Sequence, residues 1–142
     1  MEFEKRESKA LAVIRSVADR RLAVSFSGGK DSLVVLDLAI RAGVRQVVFC
    51  DTTITFKQTL EYIKKIERFY GIDIEIVKAP RDFFDLLQVL GPPSRRLRWC
   101  CDVFKFAPMY KYAIRQDVKA FIRGTRRGES HKRSKYRYID DL

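Results

Sequence analysis

The stretch Leu22-Ala23-Val24-Ser25-Phe26-Ser27-Gly28-Gly29-Lys30-Asp31-Ser32 decides the fold. It opens as a short apolar run, the signature of a buried strand. It breaks at Gly28-Gly29, and a helical pattern follows. Two glycines let the main chain turn tightly and approach a ligand with no Cβ in the way. The amides of such a loop face outward at the positive end of the next helix, which makes an anion site. Ser27 and Ser32 add hydroxyl donors and Lys30 a cation. Asp31 has two readings, a helix cap or a magnesium ligand. The Walker A spacing and its terminal Gly-Lys-Ser/Thr are absent. A plain glycine turn capped by serine or aspartate suits a bare Gly-Gly better than the full Ser-Gly-Gly-Lys-Asp-Ser.

Outward from this loop, helix and strand alternate. Glu4 to Arg20 reads as a helix, with Leu11, Ile14, Val17 and Ala18 at helical spacing. Ser32 to Ala42 is a helix apolar nearly all round, expected to be well buried and closed by Gly43. Val47 to Cys50 is a second strand. Phe56 to Tyr70 is an amphipathic helix, with Phe56, Leu60, Ile63, Ile66 and Tyr70 on one face and Gly71 at its end. Ile72 to Val77 alternates apolar and acidic residues, as a strand near a sheet edge does. Phe83 to Leu90 reads as a short helix before the Gly91-Pro92-Pro93 break. Another helix starts near Arg98, is interrupted at Pro108 and restarts there. Lys119 to Arg123 is a fourth strand. The alternation predicts an α/β fold: a twisted parallel sheet of about four to five strands, right-handed crossovers and helices on both faces. This is a Rossmann-like three-layer α/β/α arrangement. Ligands of such sheets bind beyond the carboxyl ends of the strands, and the chemistry-bearing segments all follow the first, second and fourth strands.

At 142 residues the chain reads as a single domain, 1–142, with a basic segment at 123–139. Lys and Arg number 29 against 18 Asp and Glu, a formal charge of +11. The partner is therefore expected to be anionic: a nucleotide, RNA, DNA or an acidic surface. The longest apolar run, Ala10 to Ile14, is far short of the about 20 residues a membrane span needs, so no membrane is expected. Met1-Glu2-Phe3-Glu4-Lys5 lacks the apolar stretch of a signal peptide, and the cytoplasm is expected. Three cysteines, Cys50, Cys100 and Cys101, make no disulfide framework.

The loop resembles the PP-loop of the adenine nucleotide alpha-hydrolase group, which includes ATP pyrophosphatases and phosphoadenylyl-sulfate (PAPS) reductases. Three further segments resemble the PAPS reductase branch. Asp51-Thr52-Thr53-Ile54-Thr55-Phe56 is similar to its Asp-Thr-Gly-x-x-Phe. Arg98-Trp99-Cys100-Cys101, followed by Lys105 and Pro108, is similar to its Arg-x-Cys-Cys segment. Gly124 to Ser130 is similar to its Gly-x-Arg-Arg-x-Glu-Ser. The four segments run in family order from Ser25 to Ser130, and around Gly91-Pro92-Pro93-Ser94-Arg95 archaeal members look closest.

The resemblance implies an adenine nucleotide: ATP, adenylyl sulfate (APS) or its 3′-phosphate (PAPS). The implied nucleotide-binding residues are Ser25, Ser27, Gly28, Gly29, Lys30, Asp31, Ser32, Asp51, Thr52 and Thr53. The second strand's residues Asp51 to Thr53 would lie beside the adenosine; a turn or cap is the plainer reading of Asp51. Arg126 and Arg127 would grip an oxyanion, the guanidinium fork suiting bidentate contact, and Arg98 and Lys105 would close over it. Glu129 would orient one of the arginines. A solvated basic surface is the alternative for these cations, above all for Lys132 to Arg137. Iron–sulfur members of the family hold a 4Fe–4S cluster on the adjacent cysteines plus a later Cys-x-x-Cys. Here only Cys100 and Cys101 are candidate ligands, and with four thiolates needed no cluster is expected on this chain alone. The family's nucleophilic tail cysteine is also absent, so no catalytic residue is assigned, and His131 reads as a surface residue. Fragment and stand-alone relative both stay open. The leading function is the nucleotide-binding domain of a PAPS or APS reductase-like sulfur-metabolism enzyme, with a thioredoxin-like electron donor as an implied partner and an oligomer allowed. The alternatives are a PP-loop ATP pyrophosphatase that adenylates a substrate, as in RNA thiolation, with magnesium at the phosphates, and a non-catalytic nucleotide- or nucleic-acid-binding module.

Overall fold

A computed structural model describes residues 1–131 and 133–139. Helix α1 (Glu2–Ser16) leads into strand β1 (Leu22–Phe26), then α2 (Lys30–Arg41), β2 (Val47–Asp51), α3 (Lys57–Tyr70), β3 (Ile74–Lys78) and α4 (Phe83–Leu90). Next, α5 (Trp99–Cys101) runs without a break through a π-helical stretch, Asp102–Phe106, into α6 (Ala107–Arg115). Strand β4 (Ala120–Ile122) and two 3-10 turns, Arg127–Glu129 and Arg133–Lys135, follow. The strands form one sheet in the order β3-β2-β1-β4. Every pairing is parallel: Val24 lies beside Val47, Val47 beside Ile74 and Val24 beside Ile122. The first loop therefore leaves an inner strand, and β3 takes the edge its mixed pattern predicts.

Strand geometry alternates side chains between faces, and the core divides accordingly. Val24, Phe26, Val47, Phe49 and Ile74 pack with Leu36 and Ala39 of α2 and with Ile63 and Ile66 of α3. The intervening Ala23 and Val48 pack on Tyr112 of α6 from the other side. Helices thus cover both faces. A third cluster, Ala79, Trp99 and Phe104, ties α5 and the π-helical stretch to the end of β3, with Phe83 and Trp99 stacked at 5.3 Å.

Several expected boundaries move. The first helix ends at Ser16, and Val17 to Arg20 form turns. Helix α2 starts at Lys30, directly on the glycine pair, and Val34 is 60% exposed, so it is buried along Ser32, Leu36 and Ala39 and not all round. Gly71 sits in the left-handed region at φ 59° and closes α3; Ile72 then bonds back to Glu67, so β3 begins only at Ile74. Pro108 stands in the first turn of α6, where its missing N–H costs no hydrogen bond. The irregularity the sequence places at Pro108 is taken up just before it by the π-turn.

Candidate functional site

The loop after β1 is built around Ser32. Its buried hydroxyl donates to the Gly29 carbonyl at 2.9 Å. It accepts from the Ser27 hydroxyl at 3.0 Å and the Ser27 amide at 3.3 Å. The bonds draw Ser27 down onto the first turn of α2 and bend the chain over Gly28 and Gly29. Gly28 has φ +79°, which favours glycine, and a Cβ there would meet Thr59 Cγ2 at 3.3 Å. Gly29 differs: its backbone is extended, at φ −87° and ψ 164°, and a Cβ would meet only Ser27 Oγ, at 3.7 Å. Asp31 makes no cap. Its carboxylate takes Lys30 Nζ at 2.9 Å and Arg126 Nε at 3.0 Å. The hydrogen bond from Lys30, and then Arg126, hold the Asp31 carboxyl below its ordinary range against its partial desolvation. With a cation on each oxygen, Asp31 does not fit a magnesium ligand in this arrangement.

Gly124 brings the last segment in. The chain leaving β4 passes so close to α2 that a Cβ at Gly124 would lie 2.7 Å from the Asp31 carbonyl oxygen and 3.0 Å from the Ser32 amide. That approach delivers Arg126 to Asp31. Glu129 stands 3.5 Å from Arg126 and also pairs with Arg133, so it does orient an arginine. Arg127 turns the other way, donating from Nε to the Tyr136 carbonyl at 2.8 Å with its guanidinium 4.6 Å from the Tyr138 ring.

A cleft of about 1340 Å³ opens at the carboxyl ends of β1 and β2. Ser25, Ser27 and Thr52 line its sheet side, and Lys105, Arg123 and Arg127 face it from the later elements. The π-helical stretch places Lys105 there. A π-turn loosens the ladder of carbonyl partners, and here the Cys50 thiol donates to the Phe104 carbonyl at 2.9 Å. Burial, then the Asp51 charge, push the Cys50 thiol up to about 11, which keeps the proton that this bond uses. Cys50 is thus a hydrogen-bond donor as well as the small apolar residue its strand suggests.

The expected residues divide between places. Ser25, Ser27, Thr52, Lys105 and Arg127 meet at the cleft. Lys30, Asp31 and Arg126 form an ion-pair group at the start of α2. Asp51 and Thr53 line a separate, smaller cleft of about 340 Å³ with Lys78, Arg81 and Asp82. The Asp51 carboxylate accepts from the Thr53 amide at 2.9 Å, and the Thr53 hydroxyl accepts from Phe83 N at 2.8 Å. The plainer reading of Asp51, a turn residue, is the one this geometry favours. Arg98 lies against Cys101, Nη2 to Sγ 3.5 Å, away from the large cleft. Cys100 and Cys101 are half-buried and free, and no group of three His, Cys, Asp or Glu suited to a metal occurs among the described residues. The donors present do not fit an iron–sulfur cluster. His131 is exposed, and Lys132 lies outside the described residues. Sequence reasoning missed Thr55, Thr59, Arg123 and Tyr110, all on the cleft. Arg123 alone carried a signal, its position at the carboxyl end of a strand.

Comparison with known proteins follows the same segments. The family model of the phosphoadenosine phosphosulfate reductase domain matches residues 21–141. The chain belongs to this family. An uncharacterised protein of Methanocaldococcus jannaschii is 34% identical over 143 aligned positions, which cover 96% of this chain and 34% of that protein. An adenosine 5′-phosphosulfate reductase of Bacillus anthracis is 29% identical over 147 positions, covering 97% of this chain and 64% of the enzyme. The chain thus spans from a third to just under two thirds of these relatives' length. Among solved structures, the PAPS reductase of Candida auris, a phosphate complex, is similar with a TM-score of 0.65 at 20% identity, covering 82% of this chain and 60% of that one. The NH3-dependent NAD synthetase of Campylobacter jejuni also gives 0.65, at 19% identity over 91% of this chain and 59% of that one. Both likenesses show the three-layer fold. Among the described residues of this PAPS reductase family domain, no helix is long and apolar enough to cross a membrane.

Proposed function

We propose that this PAPS reductase-like domain binds an adenylyl sulfate, APS or PAPS, with the adenine moiety in the cleft and the phosphosulfate beside the Ser27–Gly29 loop. The observation that carries the reading is the cleft's charge. Lys105, Arg123 and Arg127 line it together with Ser27 and Thr52, and no carboxylate lines it among the described residues. Cations and neutral donors turned onto one space suit a ligand of several oxyanions.

The chain's own part in a reaction would be to bind and orient. The loop amides and Arg127 would hold the phosphosulfate, and Lys105 would neutralise charge developing there. No thiol of the chain reaches that position: Cys50 is committed to Phe104, and Cys100 and Cys101 do not line the cleft. A reductive step would draw its thiol from outside these residues.

Calorimetric titration with APS, PAPS and ATP tests the reading, on the unmodified chain and on Gly29→Val and Lys30→Ala. The extended backbone at Gly29 admits valine, so its melting temperature stays while the branched side chain blocks the ligand. Loss of adenylyl sulfate binding in Gly29→Val is expected. Unchanged affinity in both variants would refute the loop as the phosphosulfate site. Turnover of ATP with pyrophosphate release would instead place the domain with the PP-loop pyrophosphatases.

A further inference from the structure

The nucleotide reading uses one end of the large cleft, and the cleft is longer than that use requires. It runs from Ser27 and Thr52 along the edge strand β4 to Lys119 and Arg20, at the opposite end of the sheet. Its volume of about 1340 Å³ exceeds the roughly 300–1,000 Å³ of ordinary small-molecule pockets. Arg20, Lys105, Lys119, Arg123, Arg127 and Arg137 stand along it, with no carboxylate among the described lining residues. Lys119 pairs with Asp117 at 2.5 Å, just outside the cleft lining.

The second observation is aromatic. Phe56, Phe106 and Tyr110 line the same cleft and yet are 78%, 61% and 70% exposed. Phe106 ends the π-helical stretch and Tyr110 follows four residues later in α6, a spacing that puts two side chains on one helix face. None of the three belongs to a core cluster. Folding gains little from rings left in water, so their place on a cationic track asks for a ligand.

The two features together select that ligand. A run of cations with no acid among the described lining residues asks for repeated negative charge, and flat exposed rings ask for flat apolar partners. Single-stranded nucleic acid supplies both, phosphates along its backbone and unstacked bases beside it. A duplex supplies only the phosphates, since its bases are already stacked. A protein segment would suit the rings but gives no reason for the six cations. We propose that the cleft between Arg20 and Tyr110 binds a single strand of nucleic acid, with phosphates on Arg20, Arg123 and Lys105 and bases on Phe56, Phe106 and Tyr110. This goes beyond the nucleotide reading: it shares Lys105 and Arg123 with it, while Arg20 and the three rings are its own, so variants at those residues test it separately.

Fluorescence anisotropy of the whole chain with labelled RNA and DNA dodecamers, single-stranded and duplex, tests it. The single strand should bind more tightly than the duplex, and the RNA and DNA arms identify which source the site prefers. With on the order of four phosphates engaged, affinity should fall about fiftyfold between about 50 and 200 mM salt. Phe106→Ala and Tyr110→Ala should each weaken single-strand binding about tenfold, and Arg20→Gln should flatten the salt dependence. All three residues are at the surface or cleft rim, and a thermal melt of each variant confirms the fold. Lys30→Ala should keep oligonucleotide binding while losing adenylyl sulfate, which separates this proposal from the nucleotide site. Equal binding of duplex and single strand with no effect of the ring variants would overturn it, leaving a plain cationic surface. So would the absence of saturable binding at low salt. Self-association in sedimentation that disappears in Tyr110→Ala, with oligonucleotide binding unchanged, would overturn it in favour of a protein interface.

Discussion

The loops after β1 and β2 each contain a residue in the left-handed region, and they use it in opposite ways. After β1 it is Gly28, at φ +79°, and the bend is held from beneath by the Ser32 hydroxyl. After β2 it is Thr53, at φ +66°, a β-branched residue in a conformation it resists. Thr53 stands where the family segment described above has glycine. The bend is held there by Asp51 on the Thr53 amide and by the Thr53 hydroxyl on Phe83 N at the start of α4. The first loop ties its bend to its own helix α2 and the second ties its bend to α4, while Ser27 of one and Thr52 and Thr55 of the other share the large cleft. Loops at corresponding places in one sheet need not share a task, even where both look like ligand loops in sequence.

The largest break to this contrast is expected from the segment that closes over the first loop. Gly124→Ala would put a methyl 2.7 Å from the Asp31 carbonyl oxygen, a backbone atom that cannot step aside. Overpacking of this kind costs about 3 kcal/mol at the upper end of its range, or roughly 10 °C in melting temperature. Arg126 should lose Asp31 in the same variant. An unchanged melt would mean that β4 and α2 are not pressed together as described.

Within the glycine pair the two positions should separate. Gly28→Ala forces a Cβ into the left-handed region at about 1–2 kcal/mol and crowds Thr59. Gly29→Ala meets an extended backbone and open space, so its melt should match the parent. Differential scanning calorimetry of both decides whether the pair is one turn element or, as the geometry has it, one turn residue followed by one residue in extended backbone with open space beside it. Equal losses would erase the distinction.

How much of this was legible in the sequence follows from what each feature depends on. The strands were plain because Leu22 to Phe26, Ser25 apart, and Val47 to Phe49 are apolar on both sides of the sheet. The edge place of β3 was plain because Glu75 alternates with Ile74 and Ile76. The direction in which Asp51 points was not, since Asp51 and Thr52 sit at a strand end where one φ angle, at Thr53, sends neighbours to different clefts. Lys105 was legible as a cation of the family segment, but the π-turn that aims it is set by Cys50, fifty-five residues earlier in the chain. Arg126 and Arg127 read as one pair, and three-dimensional packing gives each its own partner.

A smaller effect tests the second loop. Asp51→Ala removes the acceptor of the Thr53 amide and should cost about 1 kcal/mol, with adenylyl sulfate affinity unchanged. Thr53→Gly removes a strain of about 1–2 kcal/mol but also the hydroxyl on Phe83 N, worth about 1 kcal/mol, and adds glycine's entropy in the unfolded chain, about 0.5–1 kcal/mol. The terms nearly cancel, so its melt should stay close to the parent. A large loss of ligand affinity in Asp51→Ala, with its melt intact, would return that carboxylate to the nucleotide site.

The smallest effect concerns Asp31, which joins the first loop to Arg126. Its folded carboxyl is held below the ordinary value of about 3.9 by the Lys30 hydrogen bond and then by Arg126. A lowered folded value means the charged form is favoured in the fold. The stabilisation is therefore fully present above the unfolded value and is lost as pH falls through the folded one. The melting temperature of the parent minus that of Asp31→Asn should be small and level from pH 5 to 8, and should vanish toward pH 3. It should also shrink in high salt, because both partners are exposed and such pairs are screened. A difference that changes between pH 6 and 8 would assign the link to another titrating group. The contrast between the loops would then lose its electrostatic half while keeping the one set by Gly28 and Thr53.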